Sequence, residues 1–403
     1  MFVRFLLQIL FFVLSLLLCI MLKDNLKSSK FMVTERITAE QAFFKLIRLA
    51  IGTCEDKSLV IDGDTWVEVF EMSQKQALTA IVLDGVSCLP VTDKPPVDLL
   101  LKWIGLVQKI EIKNRRLNRL VVMVSDKFHQ EQMTGVLLKG QGLAALYDNP
   151  LHRMPGDIDM WMSGDRAVLV DYVRKRCPGV EVVYHHIDFP VLKETEIELH
   201  FTPSWMNDWF VNRKLQNLFS DWFPKQAAHR ISLPDTEGTV AVPTPEMNRV
   251  YILLHIYRHL FDEGIGLRQL LDYYHVLLQP CTEKEREDTR RILRKLKMRR
   301  FAAAVMYVEQ EVFGLSEKAM LVKPSSYYGR KLLSEVMRAG NFGKYDDRIN
   351  RRINETSWQK FWRKVIRNFT FLTDYPNEVI WSPIFKIWHY FWRYRNGFFA
   401  EEE

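Results

Sequence analysis

The feature that most limits how this chain can fold is the run 136–162, VLLKGQGLAALYDNPLHRMPGDIDMWM. It opens on three apolar residues, Val136, Leu137 and Leu138, which end in Lys139-Gly140-Gln141-Gly142. A short helical segment follows over 143–147. Then come the turn residues Asp148, Asn149 and Pro150, the basic Arg153, a Pro155-Gly156 turn, and Asp157-Ile158-Asp159. Strand side chains two apart share a face. Asp157 and Asp159 therefore project together, while Ile158 and Met160 face a core. Two adjacent carboxylates repel each other. A divalent cation between them is one economical reason for the placement, and hard oxygen ligands suit Mg²⁺. A solvated strand face is the other reading of the triplet, because Asp-x-Asp is common on its own.

The surroundings carry more. An apolar strand ending in Gly, a short helix and a second strand bearing Asp-x-Asp resemble the active-site hairpin of the nucleotidyltransferase superfamily typified by DNA polymerase beta. The match runs through Leu138-Lys139-Gly140-Gln141 and Asp157-Ile158-Asp159-Met160. The wider run adds Tyr147-x-x-Pro150 and Arg153 shortly before Asp-Ile-Asp. It is similar to a largely uncharacterised bacterial nucleotidyltransferase family, over roughly residues 35 to 280. Gln141 departs from the pattern, standing where the superfamily has Gly or Ser.

The resemblance implies an α+β fold: a small mixed nucleotidyltransferase-type sheet flanked by helices, with helical N-terminal and C-terminal lobes. It also implies Mg²⁺-dependent transfer of a nucleoside monophosphate from an NTP to an acceptor hydroxyl, with two ions held by Asp157, Asp159 and a third carboxylate. In the similar family an acidic residue, an apolar residue and His occupy a later strand. Glu198-Leu199-His200 fits that pattern, so Glu198 is the third carboxylate and Glu196 the fallback. Glu198 would serve the metal ion that activates the acceptor. Lys139, Arg153 and the backbone at Gly140 and Gln141 are then the nucleotide-binding groups. RNA, a protein side chain, a sugar phosphate and a small molecule all stay open as acceptor. A metal-dependent phosphohydrolase and an inactive nucleotide-binding module are the alternatives; retention of all three acidic positions argues against the second.

Read from the residues alone, Glu194, Glu196, Glu198 and His200 alternate from just before a β-like run 195–201 and along it, after similar runs at 180–185 and 187–192. Such alternation also describes a polar face on an edge strand. Without metal, clustered carboxylates repel, so neutralising Asp157 or Asp159 is expected to leave the fold intact or slightly more stable. No Walker, dinucleotide-binding or nucleophile-elbow motif occurs, so other phosphate and acyl chemistries lack support. The formal charge of +7 fits an anionic ligand, and surface lysines alone also produce it. The five cysteines are scattered with no Cys-x-x-Cys pair, which signals neither zinc nor a disulfide framework and fits a reducing cytoplasm.

The chain divides into an apolar N-terminal segment and linker (1–31), a helical lobe (32–134), a catalytic core (135–230) and a helical C-terminal region (231–403). Residues 5–22 are almost wholly apolar and near the minimum length for a membrane span. No small-x-small site precedes Lys23, and Leu18 precedes Cys19, which disfavours a cleaved signal or a lipoprotein. Membrane association through this anchor, or a true start at Met32, both leave the chemistry in the cytoplasm.

Helical patterns cover 38–50 (capped by Thr38), 64–83, 96–132, 165–176 and 205–225, and another opens at Thr244-Pro245. A basic face with Lys109, Lys113, Arg115, Arg116 and Arg119 reads as solvated before it reads as a nucleic-acid surface. His255 and His259 have metal-ligand spacing but no third ligand. Arg268 and Asp272, four apart, read as a helical ion pair. The C-terminal tail interleaves Trp388 and Trp392 with basic residues; packing is favoured over membrane or nucleic-acid contact.

Overall fold

The computed structural model describes residues 37–192, 194–346 and 357–399. The apolar run 5–22 lies outside the described residues. Among those described, no helix is long and apolar enough to cross a membrane.

Thr38 accepts from the Gln41 amide while the Gln41 side chain accepts from the Thr38 amide, a capping box that starts α1 (Ala39–Ala50). The helix expected over 64–83 is two helices, α2 (Gly63–Lys75) and α3 (Thr79–Ser87). Ala77, at φ 55°, breaks them. No Gly or Pro marks the break; tertiary contacts impose it. The buried Gln76 side chain donates to the Val336 carbonyl (3.1 Å) and accepts from the Leu267 amide (2.9 Å), which fixes the chain there. The long α4 (Val97–Gln130) crosses between two apolar cores. Trp103 and Val107 enter the first; Leu117, Val121 and Phe128 enter the second.

The second core underlies the sheet. In chain order come β1 (Gly135–Leu137), α5 (Gln141–Ala144), β2 (Ile158–Met162), α6 (Arg166–Arg176), β3 (His186–Asp188) and β4 (Ile197–His200). The strands lie in the order β1-β2-β4-β3. β2 and β4 run parallel, and the outer pairs are antiparallel. The strands are shorter than the β-like runs of the sequence. The run 180–185 gives only the bridge Val182 to Ile187, and Pro190, which lacks a ladder donor, follows β3 closely. Ile158, Met160, Ile187 and Leu199 face α4 and α6.

Asp208 caps α7 (Trp209–Ala228), which therefore starts later than the aromatic pattern suggested. A small ladder, β5 (Arg230–Ile231) with β6 (Val240–Ala241), leads to α8 (Pro245–Asp262), capped by Thr244 with Pro245 at its first position. The rest is helical: α9 (Leu267–Leu277), α10 (Glu283–Lys295), α11 (Arg299–Phe313), α12 (Ser326–Ala339), α13 (Ser357–Phe369) and α14 (Pro376–Arg395). The first core joins α1–α3 to α8–α12. The fold is thus α+β, a small mixed sheet with helices around it.

Candidate active site

Alternation along β2 and β4 sorts their side chains. The apolar set enters the core with α4 and α6, and Asp159, Glu198 and His200 take the other face. The parallel register sets Asp159 opposite Glu198. Asp157 stands one residue before β2 and is solvent-exposed, whereas Asp159 is buried. Carboxylate oxygens of Asp157, Asp159 and Glu198 all lie within 4.8 Å of one another.

Lys139 follows directly from β1, where the Leu138 amide donates to the Asp159 carbonyl (2.9 Å). That pairing brings the Lys139 ammonium to 3.0 Å from Asp159 Oδ1. His200 Nε2 lies 2.9 Å from the same oxygen and 3.1 Å from Glu198 Oε2. Burial opposes charge on His200, but hydrogen bonds to Asp159 and Glu198 outweigh it and raise the imidazolium to about 9. Burial likewise pushes Asp159 up, yet Lys139 and His200 hold it well below the usual range. Glu198 is also held low, burial being outweighed chiefly by His200. Asp157 goes the other way, raised first by the charge of Asp159 and then by burial. Lys139 and His200 pair with Asp159 and Glu198, and Asp157 lies beside them with no ion pair among the described residues. Hard oxygens from three side chains with residual negative charge suit a divalent cation.

Gly140 turns the chain beside this cluster. Its φ of 53° lies in the left-handed region that L side chains rarely adopt, and an added Cβ would sit 3.4 Å from the Asp157 carbonyl. The Gln141 side chain points away, donating to Asn118 Oδ1 (2.6 Å) and Asn114 Oδ1 (3.3 Å) on α4. It braces the turn from behind.

Arg153, expected among the nucleotide-binding groups, is engaged by a protein partner. It lines the same cleft, but its Nε and Nη2 donate to the two oxygens of Asp272 at 2.7 and 2.8 Å, and its Nη1 donates to the Met154 carbonyl. Tyr147 donates to Asp272 Oδ1 as well (2.8 Å). Tyr147 and Arg153 of the first motif thus meet Asp272 in one buried cluster. The i,i+4 pair expected between Arg268 and Asp272 does not form, because Arg153 occupies the carboxylate.

The fallback Glu196 precedes β4 and is exposed; Glu194 pairs with Arg116. Sequence reasoning missed His185 and His186. The β3–β4 register pairs His186 with His200, and His186 Nδ1 lies 3.3 Å from Glu198 Oε2 and 2.9 Å from His185 Nε2. The adjacent histidines opposite Glu-Leu-His were the available signal. Tyr251 of α8 was also missed. Its buried hydroxyl is pushed up by desolvation close to Lys139 and Asp159 and has no hydrogen-bond partner among the described residues. His255 and His259 line the cleft with ring centroids 4.3 Å apart, outside the clusters of metal-ligating groups found among the described residues.

Asp157, Glu198, Lys139 and Arg153 line one cleft of about 1180 Å³, with Asp159 buried behind them. Residues 62–314 match the family described as uncharacterised nucleotidyltransferase. A crystal structure of an antigenic nucleotidyltransferase-like protein from Paracoccidioides brasiliensis is 14% identical, covers 49% of this chain and 95% of its own, and superposes with a TM-score of 0.29, too low to carry an inference. No curated protein matches the chain.

Proposed function

The chain belongs to this family of uncharacterised nucleotidyltransferases, and from that premise we propose that it transfers a nucleoside monophosphate from an NTP to an acceptor hydroxyl. The observation that carries the reading is the convergence of Asp157, just before β2, with Asp159 of β2 and Glu198 of β4, at the wall of the cleft that Asp157 and Glu198 line.

Asp157, Asp159 and Glu198 are the residues that would hold divalent cations, two Mg²⁺ in this reading. Bound there, Mg²⁺ supplies neutralisation of the crowded phosphate charge and eases ionisation of the acceptor. The rest falls to the chain's own groups. Lys139 presents a half-buried ammonium beside the carboxylates, placed to meet the triphosphate. His200 keeps Glu198 ionised, so Glu198 can accept the acceptor hydroxyl proton. Gly140 lets the backbone turn beside Asp157. The acceptor oxygen bonds to the α-phosphorus, the bond from that phosphorus to the bridging oxygen breaks, and pyrophosphate leaves with the electron pair.

The test is to incubate the full chain with each α-labelled NTP, Mg²⁺ and a cell extract, and to follow label and pyrophosphate. Transfer of label to an acceptor with pyrophosphate release, lost in Asp157→Asn, is the expected result. Label released only as free mononucleotide would mean water is the acceptor and the protein is a hydrolase. No turnover of any NTP would overturn the reading.

A further inference from the structure

Arg268 is a buried cation that makes no direct ion pair among the described residues. It is the second residue of α9 and 8% exposed. Arg153 holds both oxygens of Asp272. Among the described residues Arg268 has no ion-pair partner, and its buried Nε has no hydrogen-bond acceptor. Burial and the nearby Arg153 work against its charge and outweigh the pull of Asp272, Tyr147 and Asp157. A fold seldom keeps an unpaired buried charge, because desolvation is not offset.

Its surroundings aim it rather than satisfy it. The start of α9 is capped by protein groups: the Gly266 amide donates to Gln269 Oε1 (2.7 Å) and the Leu267 amide to Gln76 Oε1 (2.9 Å). The helix end is therefore provided for, and the side chain is what lacks a partner. The guanidinium lies over the Phe342 ring, 5.4 Å from its centroid. Phe342 has φ 54°, a conformation that is strained for a bulky residue. Gly264 and Gly343 hold it there, since their backbones pass so closely that a Cβ on Gly264 would come within 2.9 Å of Gly343. A ring against one face of the guanidinium leaves its N–H edge for a planar or tetrahedral oxyanion. Arg268 and Phe342 line the same cleft as Lys139, Asp157 and Glu198.

We propose that Arg268 is the polyphosphate-binding residue of the cleft, its guanidinium taking the β- and γ-phosphates of the donor. This assignment rests on the nucleotidyl-transfer reading. As the acceptor oxygen bonds to the α-phosphorus and the bridging P–O bond breaks, the departing pyrophosphate gains charge, and Arg268 neutralises it. Arg153, closed onto Asp272, supports the wall of the cleft instead.

The test titrates inorganic pyrophosphate, with Mg²⁺, into full-length wild type, Arg268→Gln and Arg268→Lys by calorimetry. Label transfer from NTP is followed on the same samples. Arg268→Gln should bind pyrophosphate at least tenfold more weakly while melting no lower than wild type, because it removes an unmatched charge. Arg268→Lys keeps the charge without the fork and should fall between; it decides the matter alone if the Gln variant does not fold. Wild-type affinity in the variants, or no pyrophosphate binding by wild type, overturns the assignment. Transfer alongside unchanged affinity in the variants would overturn the assignment alone. Binding lost in the variants with no transfer by any sample would uphold a polyphosphate site and overturn the transfer reading.

Discussion

Arg153 and Asp272 form a two-point ion pair, Nε to Oδ1 at 2.7 Å and Nη2 to Oδ2 at 2.8 Å, across 119 positions of the chain. Both are buried, and the Tyr147 hydroxyl donates to Asp272 as well. The pair ties the segment before β2 to α9, so it sets the distance between the β1–β2 hairpin and the helical wall of the cleft.

Breaking that pair should cost more stability than any exposed pair. Arg153→Gln leaves Asp272 buried with only Tyr147, and the loss expected is about 3 to 5 kcal/mol. Urea denaturation measures it. A change under 1 kcal/mol would mean that the pair is solvated in solution.

The two aspartates of Asp-x-Asp should part company. The sequence suggested that neutralising either relieves repulsion. That holds for Asp157, whose carboxyl is raised by its neighbour, so Asp157→Asn should melt at or above wild type without metal. It does not hold for Asp159, which is paired with Lys139 and His200. Asp159→Asn strands buried cations and should lose roughly 3 kcal/mol or more. Equal melting of the two variants in EDTA would contradict this split.

Ligand-induced stability separates the metal site from the fold. Wild type should gain several degrees in Tm with Mg²⁺ and NTP by mass action, and Asp157→Asn should gain much less. Thermal-shift titration reads both, and equal gains would remove Asp157 from the site.

Glu309 of α11 predicts a pH dependence. Its carboxyl is fully buried, has no hydrogen-bond partner among the described residues, and is pushed by burial well above the ordinary range. The native state therefore keeps a proton that the unfolded chain releases. Its contribution to stability is intact below the ordinary glutamate pKa and is lost as pH rises through the raised one, by about 1.4 kcal/mol per pH unit. Glu309→Gln should be the more stable protein at pH 8, with the advantage shrinking towards pH 4. A constant difference between the two proteins across that range would refute the assignment.

Trp392 is half-buried, not fully enclosed, among Trp388, Tyr184 and Arg166. Trp392→Ala should cost about 2 to 3 kcal/mol, below the range for a fully buried Trp. Unchanged stability with lost binding to vesicles or RNA would instead make the tail a contact surface.

The carboxylate trio was legible because strand alternation is local and two short motifs marked it. The shared face of Asp159, Glu198 and His200 follows from a period of two. What was not legible depends on distant partners. Asp272 has a good local partner in Arg268, and only the fold shows that Arg153 arrives first. The helix break at Ala77 carries no Gly or Pro because Gln76 is held by residues from α9 and α12. The roles of His185 and His186 depend on a register that neither strand announces by itself.

The joining of α1 to α11 bears on how the chain is born. Thr53, just past α1, donates to the Phe313 carbonyl at 2.8 Å across 260 residues, and Arg48 donates to the Val312 carbonyl at 3.1 Å. A ribosome adding roughly 5–20 residues per second needs on the order of ten to fifty seconds to deliver that partner. Throughout that interval the helix α1 can pack only on α2 and α3, and the side that meets α11 stays uncovered. Slowing synthesis therefore lengthens the exposure of that side.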